Sequence, residues 1–155
     1  MIVLPPGGGV GNPFTLLQSG LVGLLRKVGL TCVKRMLGEF EGAAKKARKR
    51  GLRKGEVPYY LFFIGTRADR QGQGLGGALL EEVCERAGRE GRSVWVESTS
   101  RGSWRLFRRM GFVDVEEVVL GKGKVGEAGY GQVGGPGVTL WTMVWRNGGE
   151  AGEAG

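Results

Sequence analysis

Arg70-Gln71-Gly72-Gln73-Gly74-Leu75-Gly76-Gly77 is the stretch that decides how this chain is read. It follows an apolar run at 59–66 that predicts a strand, apolar on both sides as a buried central strand is, and it opens a helical pattern. The first amides of a helix have no intrahelical partner, and the helix dipole adds to their pull on an anion, most simply a phosphate. Glycines keep side chains out of the way of a bulky pyrophosphate. The turn by itself leaves the ligand open. The elements around it narrow the choice.

Downstream, Leu79, Leu80, Val83, Cys84 and Ala87 recur on one helical face, closed by Gly88 or Gly91. Residues 93–97 read as the next strand, so strand, helix and strand form a parallel βαβ unit. Trp104, Leu106, Phe107 and Met110 predict a short helix stopped by Gly111. Residues 112–120 and 138–145 read as an antiparallel pair joined by a glycine-rich stretch at 121–137, expected to be mobile.

Upstream, residues 1–4 form a short strand stopped by Pro5-Pro6. Asn12-Pro13 starts an amphipathic helix carrying Leu17, Leu21, Leu24, Leu25 and Val28, which Gly29 ends. Thr31 caps a second helix with Val33, Met36, Leu37, Phe40 and Ala44 on its inner face. The expected architecture is α/β (α+β): a mixed, twisted central sheet with helices on both faces. It is one domain over 1–146 with a flexible Gly/Glu tail at 147–155.

Composition sets limits. The chain has no histidine, which excludes a His-dependent triad or a histidine zinc site. Cys32 and Cys84 fit no metal spacing and read as buried, reduced thiols. No apolar run approaches a membrane span, no leader pattern opens the chain, and the expected location is cytoplasmic. Lys and Arg total 23 against 15 acidic residues, a net charge of +8, with much of the excess at 45–54. That cluster suits an anionic surface, nucleic acid or a nuclear address. The plainer reading is a solvated helix end where the dipole favours cations.

Three ligands compete for the turn. A nucleotide P-loop needs Lys and Ser or Thr after the last glycine, and Ala78-Leu79 stand there. A dinucleotide fingerprint is matched in letters by Gly72, Gly74 and Gly77, with Glu97 twenty residues beyond. Against it, residues 67–71 separate the turn from the strand, and the chain then turns antiparallel. The third ligand is coenzyme A. Gln71-Gly72-Gln73-Gly74-Leu75-Gly76 resembles the Q/R-x-x-G-x-G/A motif of the GNAT superfamily of acetyltransferases. Leu106-Phe107-Arg108-Arg109-Met110-Gly111-Phe112 resembles that superfamily's L-Y-x-x-x-G-F segment. Val3-Leu4-Pro5-Pro6-Gly7, the run at 59–65 and Leu140-Trp141-Thr142-Met143-Val144 are similar to a fungal-type branch.

The resemblance implies a V-shaped splay between the two parallel strands, with a pantetheine arm lying along the backbone of Ile64, Gly65 and Thr66. It places a pyrophosphate on the amides of Gln71, Gly72, Gln73, Gly74, Leu75 and Gly76, helped by Arg67 and Arg70. Ser100 and Phe107 fall near the thioester half. The implied activity is transfer of an acetyl group from acetyl-CoA to a primary amine, with a strand amide near Gly65 as oxyanion donor.

Two departures qualify this. The acid tyrosine of the motif is Phe107, which cannot donate a proton, and the asparagine often found seven residues earlier is Ser100. The strand and two helices expected before this chain's opening, which wall the acceptor site, look missing, so an uncovered edge and homodimer formation are expectations. Glu97 is the candidate base, with Glu56 as a second. The competing readings are a non-catalytic acyl-CoA-binding relative that works through protein contacts and, ranked last, a nucleic-acid module built on 45–54.

Overall fold

The computed structural model describes residues 1–8 and 40–148. The helices expected from Asn12 and Thr31 lie outside the described residues, apart from the end of the second. The described elements are β1 (Ile2–Leu4), α1 (Glu41–Gly51), β2 (Tyr59–Phe63), α2 (Leu75–Arg89), β3 (Val94–Ser98), α3 (Arg101–Arg109), β4 (Val113–Leu120) and β5 (Val138–Trp145). A single 3₁₀ turn, Ala68–Arg70, precedes the glycine stretch.

The strands form one five-stranded sheet in the order β1-β2-β3-β5-β4. Only β2 and β3 run parallel; the other three neighbouring pairs are antiparallel. This mixed sheet is the one the element order predicts. A crossover through α2 forces β2 and β3 parallel, whereas β4 and β5 return on each other.

Alternation along β3 sorts the layers. Val94 and Val96 belong to the larger core with Leu80, Val83, Cys84 and Ala87 of α2 and Phe107 of α3. Trp95 points the other way, into a second cluster with Ala47 of α1 and Val144. Helices therefore cover both faces. The α1 helix comes close because Gly51 has no side chain: a Cβ there would fall 2.6 Å from Val115 and 2.9 Å from the Trp95 ring. Cys84 is a free, buried thiol, and burial pushes its pKa up to about 12. It is an inert core residue at neutral pH.

Two expectations change. The first concerns β2, which ends at Phe63 rather than at residue 66 and is not buried along its length. Phe62 and Phe63 are 49 % and 57 % exposed. The reason is that β3 stops flanking β2 beyond Leu61. Second, the glycine-rich stretch after β4 is not a loose loop. The Gly123 amide donates to Gly135 O, Gly126 to Tyr130 O, Gln132 to Lys124 O and Gly137 to Val125 O. Of the two glycines expected to close α2, Gly91 (φ +63°) is the one that follows its end.

Opposite the glycine turn, the base of the sheet is held by Arg146. Its guanidinium donates to both Glu56 carboxylate oxygens at 3.0 and 2.9 Å and to Gly51 O at 2.7 Å. Burial raises the Glu56 pKa, but the Arg146 hydrogen bonds and the Arg53 amide outweigh it and hold the carboxyl below its ordinary value. A carboxylate lowered on folding contributes stability above its unfolded pKa and loses it as pH falls through the folded one. Arg146→Met is therefore expected to cost about 2 kcal/mol at neutral pH. It should also flatten the acid limb of the stability curve below about pH 4.5, read by urea melts across pH.

Candidate functional site

The site is built where β2 and β3 part. Their ladder has three registered pairs, Tyr59–Val94, Tyr60–Trp95 and Leu61–Val96. Beyond it, β3 stays with β5 through Glu97–Thr142 and Ser98–Trp141. On its far side β2 stays with β1, where Phe63 faces Ile2. Ile64, Gly65 and Thr66 continue the chain outside any described strand. Each strand thus follows its outer neighbour, and a wedge opens after Leu61 and Val96. Strand edges that face each other without pairing leave amides and carbonyls for an extended guest.

The glycine turn closes one end of this wedge. Gly74 is the N-cap of α2, at φ +78° in the left-handed region, with no side chain to cap the helix. The Ala78 amide makes the first helical bond, to Gly74 O at 3.1 Å. The amides of Leu75, Gly76 and Gly77 therefore precede the ladder, and no acidic residue stands in the first turn to neutralise them. Residues 71–75 are exposed. A Cβ on Gly76 would meet Leu106 Cδ2 at 3.1 Å, so glycine there lets α2 approach α3. The Gln71 side chain donates to Thr66 O at 3.3 Å and ties the turn back to the strand. These exposed, uncapped amides fit an anionic group such as a pyrophosphate. Arg67 is already forked onto Asp69 at 3.0 and 3.1 Å, with Arg70 4.0 Å from the same carboxylate, so both arginines are partly spent.

The remaining candidates differ from one another. Ser100 is the N-cap of α3: its hydroxyl accepts from the Ser103 amide at 3.1 Å and lies 2.8 Å from the Ser103 hydroxyl. Phe107 is 1 % exposed, with its ring centroid 5.3 Å from that of Phe112. Glu56 lies just before β2, bound by Arg146, at the end of the sheet opposite the wedge. At about 3.3 Å per strand residue it lies too far from Gly65 to serve the same reaction, and it is withdrawn as a base.

Glu97 is the first β3 residue past the ladder, on the face that Trp95 shares with α1. Its side chain is 3 % exposed, not solvated at a strand end. Oε1 accepts from Trp95 Nε1 at 2.6 Å and from Arg48 Nη2 and Nε at 3.0 and 3.3 Å. Oε2 is buried without a hydrogen-bond partner among the described residues. The Arg48 guanidinium lies 4.4 Å over the Tyr60 ring. Burial first, and then the Glu97 charge, push the Tyr60 phenol well above its ordinary range. Sequence reasoning missed Arg48 and Tyr60 as neighbours of Glu97. The basic run did carry Arg48, but nothing local marks which of its cations turns inward. Arg50 is also engaged, with Glu116 at 2.6 Å, which reduces the charge that cluster could offer a nucleic acid. Among the described residues no group of three or more acidic or thiol ligands could hold a metal ion. Nor is any described helix long and apolar enough to cross a membrane.

Comparison with known proteins agrees with this arrangement. The model of the acetyltransferase (GNAT) family matches residues 41–112, which span α1, the wedge, the glycine turn and α3. An uncharacterized N-acetyltransferase of Schizosaccharomyces pombe is 25 % identical over 116 residues, 74 % of this chain and 47 % of that protein. The chain thus spans about half the length of this curated relative. Among solved structures, a mutant agmatine N-acetyltransferase in its apo form superposes with a TM-score of 0.53 at 20 % identity, over 84 % of this chain and 63 % of that one. The polyamine N-acetyltransferase of Drosophila melanogaster superposes with a TM-score of 0.51 at 21 % identity, over 84 % and 64 %. At such identities the two structures speak for the fold alone. The match to that family's model spans just under half of the chain, and over that stretch the chain is similar to the GNAT acetyltransferases.

Proposed function

We propose that this protein transfers an acetyl group from acetyl-CoA to a primary amine. The observation that carries the reading is the end of the parallel ladder at Leu61–Val96, followed after residues 62–74 by an uncapped helix N-terminus whose first turn holds no acidic residue. The coenzyme would supply an acetyl thioester. The backbone of Ile64, Gly65 and Thr66 would take an amide-bearing arm as an added strand, and the amides of Gly72, Gln73, Gly74, Leu75 and Gly76 would hold its phosphates, whereas the Gln71 amide is turned back to Ala68 O at 3.4 Å. Ser100 and Phe107 would border the wedge through the packing they already make.

The amine nitrogen forms a bond to the acetyl carbon, the carbon–sulfur bond breaks, and one amine proton must leave. Glu97 is the acceptor proposed for that proton, through Oε2, directly or by way of water. An amide near Gly65 would meet the developing oxyanion. Phe107 offers no proton to the departing thiolate, which would take one from water.

A second reading has its own support. A buried phenyl at the acid position and a carboxylate engaged by Arg48 and Trp95 also suit a relative that binds acyl-CoA without turnover. Calorimetry with acetyl-CoA and CoA, followed by thiol release over a panel of amines, separates the two. Saturable binding with amine-dependent thiol release is expected. Binding with a flat trace across the panel favours the second reading, and no binding at millimolar coenzyme removes both.

A further inference from the structure

We propose that Arg48 and Glu97 together recognise an acceptor that carries an anionic group beside its amine, the pattern an amino acid presents. The inference rests on the site placed above at the apex of the wedge. An arginine facing a carboxylate usually forks onto both oxygens. Here Nη2 and Nε of Arg48 both reach Oε1, and Trp95 Nε1 reaches it as well. The pair is left half spent on each side. Oε2 is buried and unpaired, and Arg48 Nη1 makes no hydrogen bond among the described residues. A buried carboxylate oxygen without a donor is costly, so a ligand N–H that reaches it gains more than the same contact at the surface.

The two free groups are ordered in depth. The Glu97 side chain is 3 % exposed and the Arg48 side chain 38 %. An entering ligand meets the guanidinium first and the carboxylate behind it. The guanidinium carbon lies 4.4 Å over the Tyr60 ring, a contact that together with the Glu97 hydrogen bonds restrains the side chain before a carboxylate binds. The surrounding charge has the same sense. Helix α1 carries Lys45, Lys46, Lys49 and Arg50 besides Arg48, against Glu41 alone, so its field disfavours an acceptor with extra cations and favours one with an anion.

The test uses pairs that differ only in a carboxylate: lysine against cadaverine, arginine against agmatine, and phenylalanine against phenethylamine. Each is titrated by calorimetry into the whole protein, both alone and saturated with CoA. The carboxylate-bearing member is expected to bind at least about tenfold more tightly in each pair. Arg48→Met should remove the preference, and Arg48→Lys, which keeps the charge without the fork, should retain part of it. Affinity for CoA should stay the same in both variants. Equal or tighter binding of the decarboxylated amines overturns the proposal, as does a preference that survives Arg48→Met, or no amine binding by a protein that does bind CoA. Failure of CoA itself to bind strikes the cofactor reading instead. The titration without CoA then still decides this one.

Discussion

Gly74→Glu is expected to lower acetyl-CoA affinity by at least about a hundredfold while leaving the protein folded. The residue caps α2 at φ +78°, and nothing lies within 4 Å of where its Cβ would stand. The new side chain is therefore not excluded by a clash. A non-glycine residue in the left-handed region costs about 1 kcal/mol, which a melt should show as a small loss. The larger effect is electrostatic. A carboxylate about 5 Å from a phosphate charge, near a protein surface, opposes it by roughly 3 kcal/mol, and it also competes for the free amides of the first turn. Gly74→Ala introduces the same strain without the charge and separates the two causes. It should share the loss of stability and keep most of the affinity. Calorimetry with acetyl-CoA reads both variants. Unchanged affinity in Gly74→Glu would place the phosphates somewhere other than this helix end.

Local chemistry made the skeleton legible. Gly72 and Gly74 sit at φ +77° and +78°, conformations that L side chains avoid, so their place in the sequence carried the turn directly. The valines and aromatics of β3 and β5, and the spaced apolar residues of α2, gave elements whose period matched their burial. Long-range relations did not show. Arg48 and Glu97 are 49 residues apart, and no pattern near either one announces their contact. Arg146 reaches Glu56 across 90 residues, which turned a candidate base into an anchor at the wrong end of the sheet. Phe62 and Phe63 read as core because apolar strand residues usually are. Their exposure follows from β3 leaving β2, a fact of pairing and not of composition. The stretch at 121–137 misled for a related reason. It is ordered by backbone hydrogen bonds, which composition does not encode.

Phe107 offers the other large effect, and it separates structure from chemistry. Its ring is 1 % exposed and packs in the core that contains Leu61 and Val96, the last pair before the wedge opens. Phe107→Ala should destabilise the protein by about 3–5 kcal/mol through lost burial and the cavity left behind. That corresponds to a fall in melting temperature of roughly 10–20 °C. Such a loss would hold whether or not the protein is an enzyme, so it tests the packing alone. Phe107→Tyr tests the chemistry. The added hydroxyl must displace packed atoms and find a partner, and a cost of about 1–2 kcal/mol is expected in the free protein. If the ring borders the thioester end of the wedge, that hydroxyl can protonate a departing thiolate. Acetyl transfer should then rise about tenfold or more in spite of the weaker fold, since a positioned acid commonly contributes more than that. Paired thermal melts and thiol-release rates read the two effects on the same preparation. A variant that loses stability without gaining rate would make this position part of the core only, and the search for the acid would move to water or to another face of the wedge.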